Sequence, residues 1–421
     1  MRINVASYNI ARLSAFLLMT LLMSLSCKKG VSPGGNNTNI TFWGGPNDYH
    51  IVNMISTSDG GYLVCGNNAI NNITFLVKFD GAGHKQWSNS YRMIVCTDIV
   101  PTEDGGCAMQ GYPDTTTLKV IVLKTNSSGA TEWGAGYYDT IASPIPNALC
   151  TDHHGNFYAT GQIFYYNSTI KTSAYALYVY KINENHKLSW FKTYPGLNQY
   201  PAYIYRPQNA MIDAQGMLVL DAVANGGEQI LKMDTSGVLN LQHTLNRQTV
   251  DTAYLQNSYL IQNADGSYQA AFDQVSNNGK PGHPVHQFFY HNLYSVTISN
   301  DFKQKTIVHL DSVYNVNINT TPLTSGALMN VPFVQLANGN LLEAIPLMTY
   351  NGYSQQQGQF SFIVKNPQGK VILNKTLPGW PSNIIQDKNG NYFICGLSLN
   401  PDSDTRCVFA MYIDANGNNI N

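Results

Sequence analysis

The chain has 421 residues, of which 43% are apolar and only 12% charged, with a net charge of −1. A balance so close to neutral lacks the basic footprint of a nucleic-acid binder, so DNA and RNA are excluded as expected partners. After the first 26 residues no stretch approaches the roughly 20 apolar residues of a membrane span, and none sustains a 3.6-residue period, which excludes a helical solenoid.

Arg2 and Arg12 precede an apolar run, residues 13–23, that is short for a bilayer and suits a secretion signal. It ends at Ser24-Leu25-Ser26-Cys27-Lys28-Lys29. This resembles the lipobox of bacterial lipoproteins of the Bacteroidetes type, with Ser24 where Leu is commonest. The resemblance implies cleavage after Ser26 and diacylation of Cys27. The expected layout is a signal peptide at 1–26, a lipidated cysteine and tether at 27–37, and one folded domain at 38–421. The tether is Gly, Pro, Ser and Asn, which cannot bury a core. The acyl chain is then the only membrane contact, and the expected location is the cell envelope, lipid-anchored at the outer membrane. An ordinary cleaved signal with a chance cysteine is the alternative. No acidic cluster follows Cys27, so the leaflet stays open.

An orphan strand, Asn39-Ile40-Thr41-Phe42-Trp43-Gly44-Gly45, comes next, followed by the turn Asp59-Gly60-Gly61 and a short apolar strand. Comparable turns recur around Gly105, Gly155, Gly216, Gly266, Gly339 and Gly390, at spacings of 45, 50, 61, 50, 73 and 51 residues. Each is followed by a second strand-turn-strand such as Phe75–Phe79, Asp80-Gly81-Ala82-Gly83 and Trp87, in which Asp bonds its own backbone and Gly supplies positive φ. The second turn is degenerate at Asn183 to His186 and Ser299 to Phe302. Four residues past it stand Trp87, Trp133, Trp190, Leu241 and Leu373, a fixed offset that reads as packing between repeats rather than a ligand platform.

Seven such units predict an all-β fold, a seven-bladed β-propeller of four-stranded antiparallel blades. The seventh unit ends four residues after Gly417, so the orphan N-terminal strand is expected to complete the last blade and close the ring. Phe42-Trp43-Gly44-Gly45, Ser58-Asp59-Gly60-Gly61-Tyr62 and Leu76–Trp87 resemble the β-propeller repeats of secreted Bacteroidetes proteins. That resemblance implies fold and export, and no activity. The turn followed by Trp also resembles the repeat of quinoprotein dehydrogenases, which carry eight blades, an adjacent cysteine pair and a calcium site. Here there are seven units, no adjacent cysteines and five glutamates, so no cofactor is expected.

In an up-and-down blade alternate connections emerge on opposite faces. The turns at Gly60, Gly83 and their counterparts are uniform and make one face plain; the other connections vary in length, which places binding on the second face. Its insertions are aromatic: Phe164-Tyr165-Tyr166, Tyr203, Tyr205 and Arg206 in the third interval, Phe288-Phe289-Tyr290, and Tyr350 and Tyr353. Tyrosines among Asn and Gln suit a glycan or an extended peptide, or else they pack the loops onto the disk. His283, His286 and His291 form the only histidine cluster and lack a supporting carboxylate or cysteine, so no metal is expected. Asp221, Asp273 and Glu343 stand toward the ends of second strands and are the acids to inspect for catalysis. Cys395 and Cys407 flank a turn-rich stretch and suggest a hairpin disulfide, with buried free thiols as the alternative. Asp-Ser/Thr-apolar triplets at Asp114, Asp139, Asp251 and Asp311 resemble the O-glycosylation sequon of Bacteroidetes.

The expected function is therefore a monomeric, non-catalytic envelope module that binds a glycan or an envelope protein through tyrosines on the long-loop face, with no buried ionised pair. A polysaccharide lyase or hydrolase with acids facing each other across the axis is the alternative, and a quinoprotein dehydrogenase a remote one.

Overall fold

A computed structural model describes residues 40–43, 49–68, 73–92, 95–113, 119–137, 143–152, 154–167, 172–194, 206–224, 227–246, 254–277, 287–317, 331–336, 338–347, 350–351, 354–355, 359–399, 406–418 and 420. The expected signal segment, Cys27 and the expected tether lie outside these residues. The described chain forms seven four-stranded antiparallel sheets arranged as the blades of a propeller. Blade 1 comprises Tyr49–Ser56, Tyr62–Asn68, Ile73–Phe79 and Lys85–Arg92. Blades 2 to 6 repeat the meander, starting at Val95, Ser143, Arg206, Tyr254 and Phe333. Blade 7 comprises Trp380–Gln386, Tyr392–Leu399 and Arg406–Ile413, and its fourth strand is Ile40–Trp43, paired antiparallel with the third from Ile40↔Met411 to Trp43↔Val408.

The core is divided into seven apolar clusters, one in each gap between neighbouring blades. Second and third strands are buried on both faces and read as nearly continuous apolar runs, as in Leu63-Val64-Cys65 and Leu76-Val77. Blade 7 packs on blade 1 through a parallel stack of Tyr62 and Phe393, centroids 4.3 Å apart. Among the described residues the cluster between blades 5 and 6 is the smallest, with Ala271, Leu293, Val331, Phe333 and Leu341.

One turn chemistry recurs on the plain face. The turns after the first and third strands of each blade close through backbone bonds such as Gly60 N to Thr57 O and Gly83 N to Asp80 O, and in most of them an Asp or Asn side chain accepts from the following amides. Twelve of the fourteen turns place Gly at positive φ; the two degenerate ones keep the conformation with His186 (φ 62°) and Phe302 (φ 58°). Both residues gain contacts in exchange for the strained backbone: His186 stacks on Trp133 at 4.3 Å, and Phe302 is buried edge-on to Tyr268.

The fixed tryptophans join neighbouring blades. Trp87 Nε1 donates to Ser127 O of the next blade, and Trp190 Nε1 to Thr235 O, at 3.1 and 3.0 Å. Four residues on, Tyr91, Tyr137 and Tyr194 hydroxyls donate to Gly129, His186 and Gly237 carbonyls of the same turns. Each Trp–Tyr pair thus holds the outer turn of its neighbour. A Cβ on Gly129 would meet Trp87 at 2.7 Å, so that turn requires Gly for space as well as for φ.

Several loop expectations resolve into strands. Phe164, Tyr165 and Tyr166 belong to the second strand of blade 3, Phe157–Asn167, and Phe288-Phe289-Tyr290 to the third strand of blade 5, Gln287–Ile298. These strands run to 11 and 12 residues against seven in blade 1, so blades 3 and 5 extend as hairpins on the loop face. Aromatic-rich sequence favours this continuation over a compact loop. Tyr350–Asn351 pairs with Ser354–Gln355 as a small ribbon.

Of the two readings of Cys395 and Cys407, the structure has the buried free thiols; all six described cysteines are free and buried. Register explains why. Cys395 lies opposite Ala410 and Cys407 opposite Ser398, an offset of three residues along the strands, or about 10 Å, beyond the span a disulfide tolerates. The Cys407 thiol instead donates to Ser398 O.

Candidate functional site

The first strands of successive blades approach one another around the ring and line its axis. Six of the seven carry a bulge, and the residue beside it is Asn53, Asp98, Asn209 and Asn383 in blades 1, 2, 4 and 7. A bulge drives the inner backbone against the second strand, where a Cβ on Gly161 or Gly396 would meet a carbonyl oxygen at 2.1 or 2.0 Å. Asn53 and Asp98 each accept from the next amide at 2.8 Å through Oδ1, which fixes both side chains.

Asp98 is the only carboxylate on these first strands, where His50 and Arg206 are the other ionisable groups of charge-bearing type. It accepts from Asn53 Nδ2 of blade 1 at 2.9 Å and, through Oδ2, from Leu149 N of blade 3 at 2.9 Å. One side chain therefore ties three blades at the axis. Burial lifts its carboxyl to about 6, and the three hydrogen bonds oppose that rise. The belt was legible as Asn or Asp seven residues before the turn glycines Gly60, Gly105, Gly216 and Gly390.

The sequence-nominated acids occupy other places. Asp221, Asp273 and Glu343 are 0%, 2% and 0% exposed and stand inside their second strands, Leu218–Ala224, Tyr268–Asn277 and Leu341–Leu347, instead of opening onto the loop face. Second strands are covered by both neighbouring blades, so an acid there faces a seam.

Glu343 belongs to a charged cluster between blades 5 and 6. Lys365 Nζ is 2.9 Å from Glu343 Oε2 and pairs also with Asp311 on the outer strand of blade 5. Burial and the neighbouring Asp311 carboxylate favour the protonated form of Glu343, which then donates to Asp311. Burial and then the bond shared with Asp311 raise Glu343 to about 7, with Lys365 opposing. Burial also raises Asp311, but the bonds from Glu343 and Lys365 outweigh it and hold that carboxyl low. Below about pH 7 this is a carboxylic acid, a carboxylate and an ammonium in one seam, with only the Glu343 side chain fully covered.

A buried ion pair therefore exists, contrary to expectation: Lys232 meets Asp213 at 2.9 Å and the Tyr268 hydroxyl at 2.6 Å, while the buried lysines Lys78 and Lys124 meet the exposed carboxylates of Asp59 and Asp104 at 2.7 Å. These three sit where plain-face turns meet third strands. They recur at the same place in blades 1, 2 and 4, which is the pattern of a structural lock.

Of the residues expected on the loop face, Tyr203, Tyr205, Tyr353, His283 and His286 lie outside the described residues. Tyr165, Tyr166, Arg206, Tyr350 and His291 are on strands, Tyr165 and Tyr166 on the extended hairpin of blade 3 and His291 on that of blade 5. Among the described residues no group of three His, Cys, Asp or Glu is placed to hold a metal ion.

No protein-family model matches this chain, and no curated protein matches it. Solved structures similar to it include a protein of unknown function from Bacteroides caccae, at 12% identity over 73% of this chain and 89% of that one, TM-score 0.34. Others are virginiamycin B lyase from Staphylococcus aureus, at 10% identity over 89% and 99%, TM-score 0.45, and the polysaccharide lyase Uly1, at 10% over 93% and 93%, TM-score 0.46. At these values the likeness carries no argument about function, and the fold rests on the strand topology itself.

Proposed function

We propose that this protein is a cell-envelope lipoprotein, acylated at Cys27, whose propeller binds a glycan or an envelope protein on the loop face without catalysing a reaction. One observation carries the reading: the connections of the plain face are uniform hydrogen-bonded turns in all seven blades, so variable recognition surface is confined to the opposite side. There the extended hairpins of blades 3 and 5 bring Tyr165, Tyr166, Phe289 and Tyr290 onto strands that rise from the disk. Tyrosine offers sugars a flat apolar face and peptides a hydroxyl partner. The engagement of Asp98 by three N–H donors from three blades supports a structural use of the axial carboxylate.

A glycan array probed with wild-type chain and with Tyr203→Ala/Tyr205→Ala tests the reading. Binding that is lost in the variant supports it, and binding retained in full counts against this surface. Pull-down through the lipidated chain separates a protein partner from a sugar.

The lyase or hydrolase reading keeps one observation in its favour, the raised carboxyl of Asp98 at the axis. Unsaturated uronates or new reducing ends released from a bound polysaccharide would establish it, provided Asp98→Asn abolishes them.

A further inference from the structure

Three of the six described cysteines gather in one gap, between blades 1 and 2. Cys65 on the second strand of blade 1 and Cys96 and Cys107 on the first two strands of blade 2 share an apolar cluster with Leu63, Leu76 and Met109. Cys65 and Cys96 face each other across the gap. The Cys65 thiol is hydrogen-bonded to that of Cys96, whose own S–H is directed to Asp98 O at 3.3 Å. Backbone is pinned at the same point: Asn67, two residues along the same strand face from Cys65, accepts from Cys96 N at 3.0 Å and donates to Cys96 O at 2.7 Å. Thr74 accepts from Cys96 N as well. Cys107 stands in the same cluster, with its thiol engaged by the Thr125 hydroxyl at 3.4 Å.

We propose that Cys65 and Cys96 are a disulfide site that staples blade 1 to blade 2 when the chain folds in the presence of a disulfide-bearing thiol oxidant. The chemistry is exchange. One cysteine, as thiolate, attacks the oxidant disulfide and releases one thiol; the other then attacks the mixed disulfide, forming the Cys65–Cys96 bond and releasing the second thiol. The two protein protons end on the two departing thiolates, the cysteines are oxidised by two electrons and the oxidant is reduced by two. In the folded protein both sulfurs are shut off from solvent, at 0% and 2% exposure, and burial holds the Cys65 thiol protonated. The bond therefore forms before the gap closes, during folding, and is afterwards protected from reductant. The closed loop of 65–96 falls in the range where a cross-link restricts the unfolded chain usefully.

The test is refolding of the full chain from guanidinium in a buffer of reduced and oxidised glutathione, followed by peptide mass spectrometry without reduction. The expected result is a Cys65–Cys96 linkage as the dominant cross-link, two fewer titratable thiols than in the reduced chain, and a melting temperature several degrees higher that reverts with reductant under denaturing conditions. Cys65→Ser and Cys96→Ser should each abolish the linkage and the shift, whereas Cys395→Ser should leave both in place. Because the linkage is read in the wild-type chain, a serine variant that fails to fold does not weaken the test. A full complement of free thiols after oxidative refolding, or a dominant linkage between any other pair, overturns the proposal.

Discussion

Asp311 stands on the outer strand of blade 5 where Tyr91 stands on that of blade 1: each lies opposite the residue six before the outer turn, Leu293 and Thr74 respectively. Tyr91 donates its hydroxyl to a turn carbonyl of the next blade, Gly129 O. Asp311 reaches into the next blade as well, but to the ammonium of Lys365 and through it to Glu343. Among the described residues, the seam with the smallest apolar cluster thus carries an ion pair between blades.

That substitution makes this seam pH-sensitive. Glu343 holds its proton in the folded state up to about 7, against an ordinary 4.5. Between those values the unfolded chain releases a proton that the folded chain keeps, so this contribution is complete below about 4.5 and is lost as pH rises through 7. Asp98, raised from 3.8 to about 6, acts in the same direction over a lower window. Urea unfolding at pH 5 and pH 8 should show wild type losing up to about 3 kcal/mol from Glu343, and Glu343→Gln should flatten that part of the slope. Equal slopes in the two proteins would remove Glu343 as the cause.

Trp87 should act as an inter-blade tie. Trp87→Ala removes a partly buried indole and its bond to Ser127 O, and is expected to cost roughly 2–3 kcal/mol in chemical unfolding. Trp87→Phe keeps most of the contact and should cost about 1 kcal/mol, the value of the hydrogen bond.

The two non-glycine turns should respond to glycine in different ways. His186→Gly relieves a left-handed backbone and loses one stack on Trp133, two effects of about 1 kcal/mol that nearly cancel. Phe302→Gly gives the same relief but empties a buried site beside Tyr268, for a net loss of roughly 2 kcal/mol. Melting temperatures of the pair distinguish the outcomes.

Deletion of residues 39–45 should expose the Arg406–Ile413 edge, which now pairs with Ile40–Trp43. A lower melting temperature and concentration-dependent aggregation on size exclusion are expected. An unchanged monomer would mean that this strand contributes little to the ring.

Much of this architecture was legible because its signals are local. Gly at a fixed place in each turn and Trp at a fixed offset after it report positive φ and a neighbouring turn, and both survive where Phe302 and Leu241 replace them within one shared cluster. What was misread depends on partners distant in sequence. Register, which spacing does not display, separates Cys395 from Cys407. The nearness of Cys65 to Cys96, and the burial of Glu343 against Asp311, arise only when one blade meets the next. Phe288-Phe289-Tyr290 read as insertion because no turn residue marks where the blade 5 strand should stop, and it does not stop.

Hydrogen exchange with and without a polysaccharide or envelope extract bound to the chain tests the central claim, that recognition belongs to the loop face. Protection should fall on the long connections, residues 195–205 and 278–286, and on the hairpin ends around Tyr165 and Tyr290. Protection concentrated on the plain-face turns, such as 57–61 and 80–84, would contradict it.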